Sequence, residues 1–339
     1  MSRIKVGIVG SAGYTGGELL RLLIFHPQVD IVFANSVSNA GKKVYEVHTD
    51  LFGDTELEFS TEFHSHIDVL FLCVGHGDAR KFLEANTVSE QVKIIDLSQD
   101  YRLTANKDYQ HDKFVYGLPE LNRDEIRGAQ YIANPGCFAT TIQLGLLPLA
   151  AEGLLGDAIH INATTGSTGA GQKPGLTTHF SWRNNNLSAY KSFEHQHLQE
   201  ISESLNQLQP GFLPQSEEPL MVRAGQKLHF IPQRGAFARG IFAASYIDST
   251  LSQRQAVDLY KQFYENHPFT WVSDSNVDLK QVVNTNKSIM SLEKHGDKLL
   301  IVNVTDNLLK GASGQAVQNM NLLFGMDERM GLNLKSVGF

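Results

Sequence analysis

The sequence is poor in cysteine, with only Cys73 and Cys137 among its 339 residues. Two cysteines cannot form the disulfide framework of a small secreted fold, so we expect a reducing, cytoplasmic location. Long apolar runs are missing as well, since none approaches the roughly 20 residues of a membrane-spanning helix. The N-terminal apolar stretch is interrupted by Gly7 and Gly10, which favours a strand over a secretion signal.

Positive charge is also scarce, because 36 acidic residues outnumber 29 lysines and arginines and leave a net charge of −7. This balance argues against a nucleic-acid surface or an anionic membrane as partner, although a local pocket can still bind a phosphate-bearing small molecule. The sequence contains no internal repeat and no low-complexity segment. With 42% apolar and 19% charged residues, its composition is typical of a globular protein, and its length predicts two domains.

Strand and helix patterns alternate in the first part of the chain. The strands are 4–9, 29–34, 69–74, 92–96 and 131–133, and the helices are 18–25 and 78–85. Such alternation predicts an α/β domain with a doubly wound parallel sheet. Beyond about residue 155 the pattern changes, which predicts a second, largely antiparallel sheet. Its strands are 159–164, 228–232, 239–247 and 299–304, and an apolar helix follows at 314–324.

Glycines connect the first strand to the first helix in the pattern Gly7-x-x-Gly10-x-x-Gly13, followed by Gly16 and Gly17. Such a turn lets a pyrophosphate approach the backbone at the helix N-terminus, so we predict a dinucleotide site. A purely structural glycine turn is the alternative, and the position between a strand and an amphipathic helix counts against it. The candidate cofactor contacts of this turn are Gly10, Ser11, Gly13, Tyr14, Thr15 and Gly16.

The end of the second strand distinguishes NAD from NADP. An NAD site usually places a carboxylate there, but this sequence has Ser36 and Ser38, with Lys42 and Lys43 beyond them. Hydroxyl and ammonium groups suit a 2′-phosphate, so we predict NADP as the cofactor and both serines as contacts. Gly75 follows the next long apolar strand and is expected beneath the cofactor, an ordinary loop being the alternative.

Cys137 lies in the heptapeptide Asn-Pro-Gly-Cys-Phe-Ala-Thr, between a short apolar strand and a helix with apolar positions from Ile142. A helix N-terminus carries partial positive charge and unpaired N–H groups, which favour thiolate over thiol. A thiolate there is a nucleophile, and neighbouring N–H groups can receive the oxyanion that forms when it attacks a carbonyl. Cys137 is therefore the candidate nucleophile, with a small buried residue as the alternative.

Two histidines stand at the start of another predicted helix, whose N-cap we expect at Ser192. His197 and Glu200 are three residues apart and share a helix face, so the carboxylate can orient the imidazole. His195 joins them only if the helix begins after it, because residues two apart in a helix point apart. We predict His197 as the acid/base and His195 as a hydrogen-bond donor to the substrate. A solvated helix start and a zinc site are the alternatives, the latter without an evident third ligand cluster.

Four long segments support these predictions together. They are IDLSQDYRL at 95–103, YGLPEL at 116–121, NPGCFAT at 134–140 and DNLLKGASGQAVQNMN at 306–321. In this order they resemble the N-acetyl-γ-glutamyl-phosphate reductase family, and the resemblance runs from residue 4 to about 325. It implies a Rossmann-type NADP-binding domain at 1–137 and 314–339. It also implies an α+β catalytic and dimerisation domain of the semialdehyde dehydrogenase type at 138–313.

The resemblance implies a reaction of arginine biosynthesis, the NADPH-dependent reduction of an N-acyl-γ-glutamyl phosphate to the N-acyl-glutamate 5-semialdehyde. Phosphate is released through a cysteine thioester, the N-acetyl substrate is assumed, and a homodimer or homotetramer is expected. Cys137 takes the nucleophile's role, and the segment with His195 and His197 takes the base's. Gln315 is placed near the nicotinamide. The loop at 166–171 adds Ser167 and Gly169 as cofactor contacts.

Four further residues are candidates for binding the substrate. Arg102 is expected to hold the leaving phosphate, because a guanidinium fork binds two oxygens, with a structural pairing to a nearby aspartate as the alternative. Asn134 is included with it, and Arg239 is the candidate for the α-carboxylate. Arg234 is additional to the family pattern. It leads to the hypothesis of an N-succinyl substrate, with an ordinary surface arginine as the alternative.

Two other functions stay open from the sequence. An aspartate-semialdehyde dehydrogenase runs the same chemistry on a shorter substrate, but the paired histidines and the Gly-Leu-Pro-Glu stretch favour the glutamyl enzyme. A non-catalytic NADP-binding sensor is opposed by the presence of Cys137, His197 and Arg102 together, since a sensor needs no nucleophile.

Overall fold

Residues 3–338 are described by a computed structural model, in which the chain divides into two units. Unit 1 consists of Met1–Gly136 and Ala312–Asn333, and unit 2 consists of Cys137–Gly311 and Leu334–Phe339. The boundary at Gly136 falls inside the Asn-Pro-Gly-Cys turn. The candidate nucleophile is therefore the first residue of unit 2.

Each unit is built on one sheet. The strands of unit 1 are β1 (Ile4–Val9), β2 (Val29–Asn35), β3 (Phe59–Ser60), β4 (Val69–Leu72), β5 (Lys93–Asp96), β6 (Asp108–Tyr109), β7 (Asp112–Tyr116) and β8 (Tyr131–Ala133). The strands of unit 2 are β9 (Ile159–Thr165), β10 (Ser188–Ala189), β11 (Leu228–Arg234), β12 (Ile241–Asp248), β13 (Thr270–Val272), β14 (Ser288–His295) and β15 (Lys298–Thr305).

The strand order confirms the predicted fold class. The sheet of unit 1 runs β3-β2-β1-β4-β5-β8-β7-β6, and its neighbours pair in parallel except for β6 with β7. The sheet of unit 2 runs β10-β11-β9-β12-β15-β14-β13. It is mixed and mainly antiparallel, since only β11 with β9 and β13 with β14 pair in parallel.

Helices lie between many of these strands along the chain. They are α1 (Tyr14–Leu23), α2 (Asp78–Ala85), α3 (Pro119–Gly128), α4 (Cys137–Ala151), α5 (Phe180–Arg183), α6 (His197–Leu208), α7 (Leu220–Lys227), α8 (Gln253–Tyr264) and α9 (Gly314–Leu323). Along residues 3–338, no helix is long and apolar enough to cross a membrane.

The predicted N-cap of α6 at Ser192 is wrong, because Gln196 occupies that position. Phe193 has a φ of 64°, a left-handed backbone that a helix cannot contain. Its N–H donates to Phe230 O of β11 at 2.9 Å, so the chain still follows the sheet at this point. The helix therefore begins after His195, which meets the condition for this histidine to lie beside His197.

Helix α4 is buried along almost its whole length although it contains Pro148. Proline lacks the N–H that would donate to Leu144 O one turn earlier. The Tyr264 hydroxyl of α8 compensates by donating to Leu144 O, and Tyr260 of the same helix donates to Gly145 O at 2.6 Å. The part of α4 around Pro148 is thus held by tyrosine side chains of a neighbouring helix.

We expect Tyr264→Phe to lower the free energy of unfolding by about 1–2 kcal/mol, because a buried carbonyl loses its donor. Thermal or denaturant unfolding of the intact protein measures the change. Tyr246→Phe on β12 is the matched control, since that ring is more than a third exposed. Equal stability of the two variants would contradict the role given to the Tyr264 hydroxyl.

Candidate active site

Cys137 begins α4 directly after β8 and the Asn-Pro-Gly turn. Its thiol is partly exposed, and its carbonyl accepts a hydrogen bond from Thr141 Oγ1 at 3.0 Å. The first N–H groups of a helix have no partner within the helix, and the dipole places partial positive charge there. The thiol therefore lies where a thiolate is favoured over a thiol.

Gly311 packs against the candidate nucleophile. A Cβ atom added to Gly311 would lie 2.9 Å from Cys137 Cβ and 3.2 Å from Asp306 O. Gly311 belongs to a π-helical turn, Leu309–Ser313, and such turns are frequent at functional sites. Only glycine leaves the Cys137 side chain where the structure has it.

Gly311→Ala is expected to lower kcat about 10- to 100-fold with little change in KM, because the added methyl displaces the thiol by a fraction of an ångström. The rate of alkylation of Cys137 by iodoacetamide should change with it. Gly156→Ala is the matched control, since no atom lies within 4 Å of a Cβ built there. Wild-type kcat in Gly311→Ala would contradict this packing argument.

The two histidines are joined by a hydrogen bond. The backbone N–H of His197 donates to His195 Nδ1 at 3.2 Å, which leaves the proton of a neutral His195 on Nε2. Burial, together with the adjacent His197, lowers the pKa of His195 to about 2. His195 therefore stays a neutral imidazole with one N–H donor, which is the form predicted for a hydrogen bond to the substrate.

His197 faces a carboxylate of its own helix. His197 Nε2 lies 3.7 Å from Glu200 Oε1, and both side chains are buried. The shared helix face anticipated for this pair is present in the structure. A carboxylate at this distance favours the imidazolium that forms when His197 takes up a proton.

Phe138 connects the histidines to the start of α4. Its ring centroid lies 5.5 Å from that of His195 and 6.3 Å from that of His197, both in edge contacts. Phe138 directly follows Cys137, so the first turn of α4 packs against both imidazoles. The starts of α4 and α6 therefore carry the residue types of a nucleophile, a hydrogen-bond donor and a proton acceptor.

Tyr190 and Arg234 extend this cluster. The guanidinium carbon of Arg234 lies 4.6 Å from the centroid of the Tyr190 ring, which is 5.8 Å from the His195 ring. Burial raises the pKa of Tyr190 to about 12, with the neighbouring Cys137 contributing to the rise. The sequence analysis did not predict Tyr190 as a site residue. Its position shortly before the paired histidines was the only indication that the sequence offered.

Arg239 is held by Asp306. Its Nε donates to Asp306 Oδ2 at 3.1 Å and its Nη2 donates to Asp306 Oδ1 at 3.2 Å. Asp306 is fully buried and also accepts from the N–H groups of Asn284 and Leu308. One edge of the Arg239 fork is thus used within the protein, and its α-carboxylate role stays a prediction. Asp306 begins the sequence motif at 306–321, but the sequence does not predict that it pairs with Arg239.

In unit 1, the turn before Cys137 is held by side chains of three segments. Asn134 Nδ2 donates to Ala312 O at 3.1 Å, and Asn134 Oδ1 accepts from Asn319 Nδ2 at 3.1 Å. Arg102 Nε donates to Asn134 O at 2.8 Å, and its Nη2 donates to Leu97 O at 2.9 Å. Both residues support the turn, and their roles in binding the substrate stay predictions.

The segment before Arg102 also holds the Gly75 loop. Asp100 Oδ1 accepts from the N–H of Gly77 at 2.6 Å, and Asp100 Oδ2 accepts from the N–H of Arg80 at 3.1 Å. Gly77 has a φ of 85°, a conformation that favours glycine. Asp100 therefore stabilises the N-terminus of α2 from another segment.

The glycine turn of unit 1 fits a dinucleotide. Gly10 has a φ of 75°, and a Cβ there would lie 2.4 Å from Cys73 O. Gly16 packs equally closely, since its Cβ would lie 2.5 Å from Ser11 Cα. Gly13 precedes α1 without any side-chain cap, so the first N–H groups of the helix are available to a pyrophosphate.

Ser11 and its neighbour His48 shape this turn. Ser11 is fully buried, and its hydroxyl donates to Asn35 O at 2.9 Å, so its side chain serves the turn. His48 Nε2 lies 2.9 Å from Ser11 O, and a Cβ on Gly17 would meet the His48 ring at 2.5 Å. Sequence reasoning missed His48, because it is distant from the turn along the chain.

Fewer unpaired positive charges lie after the end of β2 than the sequence predicts. Lys43 is within 3.0 Å of Glu58 Oε1 and 3.4 Å of Glu56 Oε2, so its charge is paired. Lys42 Nζ donates to Asn39 Oδ1 at 3.3 Å on the surface. Ser36 is buried and Ser38 is exposed, and the preference for a 2′-phosphate now depends on the serines and Lys42.

Three further cofactor candidates are placed on two elements. Ser167 and Gly169 lie in a 3₁₀ turn, Ser167–Ala170, where the N–H of Ser167 donates to Phe237 O at 2.8 Å. Gln315 is fully buried in α9. Within residues 3–338, no group of three or more His, Cys, Asp or Glu side chains is arranged to hold a metal ion.

Comparison with known proteins identifies the family. Residues 5–129 match the model described as semialdehyde dehydrogenase, NAD binding domain, and residues 137–307 match semialdehyde dehydrogenase, dimerisation domain. The N-acetyl-gamma-glutamyl-phosphate reductases of Azobacteroides pseudotrichonymphae and Parabacteroides distasonis are each 56% identical over 337 residues, 99% of this chain and 100% of the relative. That of Christiangramia forsetii is 54% identical over 98% of this chain and 99% of its own.

The chain belongs to the N-acetyl-γ-glutamyl-phosphate reductase family. Solved structures of related enzymes have the same fold. Aspartate semialdehyde dehydrogenase II from Vibrio cholerae, complexed with ASA, is 16% identical, has a TM-score of 0.72, and matches 96% of this chain and 99% of its own. The Candida albicans enzyme with NADP is 14% identical, has a TM-score of 0.66, and matches 95% and 99%. These likenesses confirm the semialdehyde dehydrogenase architecture.

Membership of the reductase family confirms the resemblance found in the four motifs. In unit 2, His195 and His197 pack against Phe138, the residue after Cys137, and the roles of these three predicted residues stay predictions. The match to a dimerisation domain indicates that members of the family self-associate through this part of the chain. Gly311 and Tyr190 are additions from the structure, because their contacts join segments far apart in sequence.

Proposed function

We propose that this protein catalyses the NADPH-dependent reduction of N-acetyl-γ-glutamyl phosphate to N-acetylglutamate 5-semialdehyde and phosphate, in arginine biosynthesis. The observation that carries the proposal is identity of 54–56% over nearly the whole chain with reductases of that name. It is supported by the packing of His195 and His197 against Phe138, which directly follows Cys137 in α4. A cytoplasmic homodimer or homotetramer is part of the proposal.

The Cys137 thiolate attacks the acyl carbon of the substrate, and the bond between that carbon and the phosphate oxygen breaks. Phosphate leaves with the bonding electron pair, and a thioester with Cys137 remains. The nicotinamide cofactor, when bound, supplies the hydride that reduces the thioester carbon. The bond to sulfur then breaks with its electron pair, which releases the aldehyde and regenerates the Cys137 thiolate.

His197 is proposed to take the proton of the Cys137 thiol, and Glu200 to stabilise the imidazolium that results. His195 is proposed to donate a hydrogen bond from Nε2–H to the carbonyl oxygen as negative charge develops there. The neutral state of His195 supports this role, because a donor on Nε2 requires no change of charge. Arg102 for the phosphate and Arg239 for the α-carboxylate complete the proposal.

The glycine turn and the start of α1 are proposed to hold the pyrophosphate of NADP, with Ser36, Ser38 and Lys42 toward the 2′-phosphate. Gly10 and Gly16 support this placement, since side chains there would collide with backbone atoms. Gln315 and the loop with Ser167 and Gly169 remain the candidates near the nicotinamide.

The reverse reaction tests the function without the unstable acyl phosphate. Phosphate-dependent reduction of NADP⁺ is measured with N-acetylglutamate semialdehyde, and aspartate semialdehyde is the comparison substrate. We expect a rate with the glutamyl substrate that vanishes without phosphate. A higher kcat/KM with aspartate semialdehyde would favour the neighbouring dehydrogenase. No rate with either substrate, while NADPH still binds, would favour the sensor.

A further inference from the structure

Arg234 ends β11 and points to the same face of the sheet as Phe230. Side chains alternate between faces along a strand, so residues four apart share one. Phe230 packs against Phe138 and His195, with ring centroids 5.2 Å and 5.5 Å away. Arg234 is stacked on Tyr190, which contacts His195. Its guanidinium thus belongs to the cluster around the proposed reacting groups.

The charge of Arg234 has no counter-ion within the described part of the chain. Among residues 3–338, no carboxylate forms an ion pair with Arg234, in contrast to Arg239 with its partner Asp306. Arg234 Nε is buried, and no described residue accepts a hydrogen bond from it. A buried donor without an acceptor is unfavourable, so the site favours an anion that supplies one.

The hydroxyl of Thr165 is a second buried polar group next to this site that lacks a hydrogen-bond partner among the described residues. Thr165 is the register partner of Arg234 on β9, and its side chain is 1% exposed. A Cβ on Gly169 would lie 3.2 Å from Thr165 Oγ1, so glycine keeps the space beside this hydroxyl open.

We propose that Arg234, Tyr190 and Thr165 form a subsite that binds a carboxylate of the substrate next to Cys137 and His195. The proposal rests on the function proposed above, which supplies a substrate with at least one carboxylate. The guanidinium offers two parallel N–H donors, a geometry that matches a planar carboxylate. The Tyr190 hydroxyl stays protonated at neutral pH because burial raises its pKa, so it is a donor as well.

Two carboxylates fit this chemistry. One is the α-carboxylate that every N-acylglutamyl substrate carries, in which case Arg234 takes the role proposed above for Arg239. The other is a terminal carboxylate on a dicarboxylic N-acyl group, such as succinyl. The two sources differ in which substrates lose affinity when Arg234 is replaced, so one set of variants distinguishes them.

The test uses Arg234→Gln and Arg234→Lys in the phosphate-dependent reduction of NADP⁺, with N-acetyl- and N-succinylglutamate semialdehyde as substrates. We expect Arg234→Gln to raise the KM of at least one semialdehyde about 10- to 100-fold, the effect of one charge-assisted contact. Arg234→Lys keeps the charge without the fork and should recover part of the loss. The KM of inorganic phosphate should stay unchanged.

The change in KM for each substrate identifies which carboxylate Arg234 binds. Equal increases in KM for both semialdehydes indicate the α-carboxylate, and an increase for the succinyl substrate alone indicates the acyl carboxylate. KM values within twofold of wild type for both substrates would overturn the subsite. A rise in the KM of phosphate alone would also overturn the subsite, since Arg234 would then bind phosphate and not a carboxylate.

Binding without turnover separates this proposal from the proposed function. Calorimetric titration with N-acetylglutamate and N-succinylglutamate should show weaker binding of at least one of them to Arg234→Gln than to wild type, even if the wild-type protein reduces no NADP⁺. Equal binding to both proteins would overturn the subsite. Arg254→Gln is the matched control, because that arginine is 92% exposed on α8 and should behave as wild type.

Discussion

Replacing Cys137 with serine is expected to reduce turnover by about 10⁴-fold or more, the order of loss seen when a covalent enzyme loses its nucleophile. Serine keeps nearly the size of the side chain but its hydroxyl does not ionise near neutral pH. The start of α4 can stabilise an anion only where one forms. Phosphate-dependent reduction of NADP⁺ measures the loss, and binding of NADPH should be retained.

Cys73→Ala is the matched control for this variant, because Cys73 is the chain's second cysteine. Its thiol is buried, and burial raises its pKa, so it is expected to contribute neither activity nor reactivity toward iodoacetamide. In the wild-type protein, iodoacetamide should label Cys137 and inactivate the enzyme, and substrate should protect it. Residual activity of Cys137→Ser near the wild-type rate would exclude the thioester mechanism.

The second large effect is expected from His197→Asn, which should lower kcat/KM about 10²- to 10⁴-fold, the range for loss of a general acid/base. His195→Asn removes the Nε2–H donor and the Nδ1 acceptor of the His197 N–H but no proton acceptor for the thiol, and it should cost about 10- to 100-fold. Losses of equal size in the two variants would contradict this division of roles.

The pH profile separates the two histidines further. The pKa of His195 is about 2, so this residue does not change charge between pH 5 and 8. His195→Asn should therefore keep the pH dependence of kcat/KM, whereas His197→Asn should lose one ionisation from it. The lowered pKa of His195 also makes the stability of the folded protein depend on pH. The unfolded chain protonates His195 below its ordinary pKa of 6.5 and the native chain does not, so stability falls as pH decreases below 6.5.

Much of the site was predictable because its signals are local. The glycine turn follows one strand and opens one helix, and Cys137 follows another strand-to-helix turn, between β8 and α4. His197 and Glu200 are three residues apart, so helical periodicity alone places them together. The failure at Ser192 was also local, since a hydroxyl residue with helical spacing after it resembles an N-cap. The pairing of that segment with β11 prevented the helix from starting there.

The remaining site residues depend on contacts between distant segments. Arg239 and Asp306 are 67 residues apart, and the sequence contains many carboxylates that could have paired with that arginine. The pairing of Lys43 with Glu56 and Glu58 depends on a return of the chain that no periodicity signals. The stacking of Arg234 on Tyr190 likewise follows from the β10–β11 pairing. Register between strands, rather than residue type, decides these contacts.

The proline in α4 has a consequence for how this family can vary. Pro148 removes the backbone donor that Leu144 O would otherwise have, and the hydroxyl of Tyr264 supplies a donor in its place. A lineage that replaces the proline regains a backbone donor and no longer requires the tyrosine, whereas loss of the tyrosine first leaves the carbonyl unsatisfied. The order of the two substitutions therefore matters, and the two positions are expected to show epistasis. Homologues should accordingly keep Pro148 and Tyr264 together or lose the proline before the tyrosine.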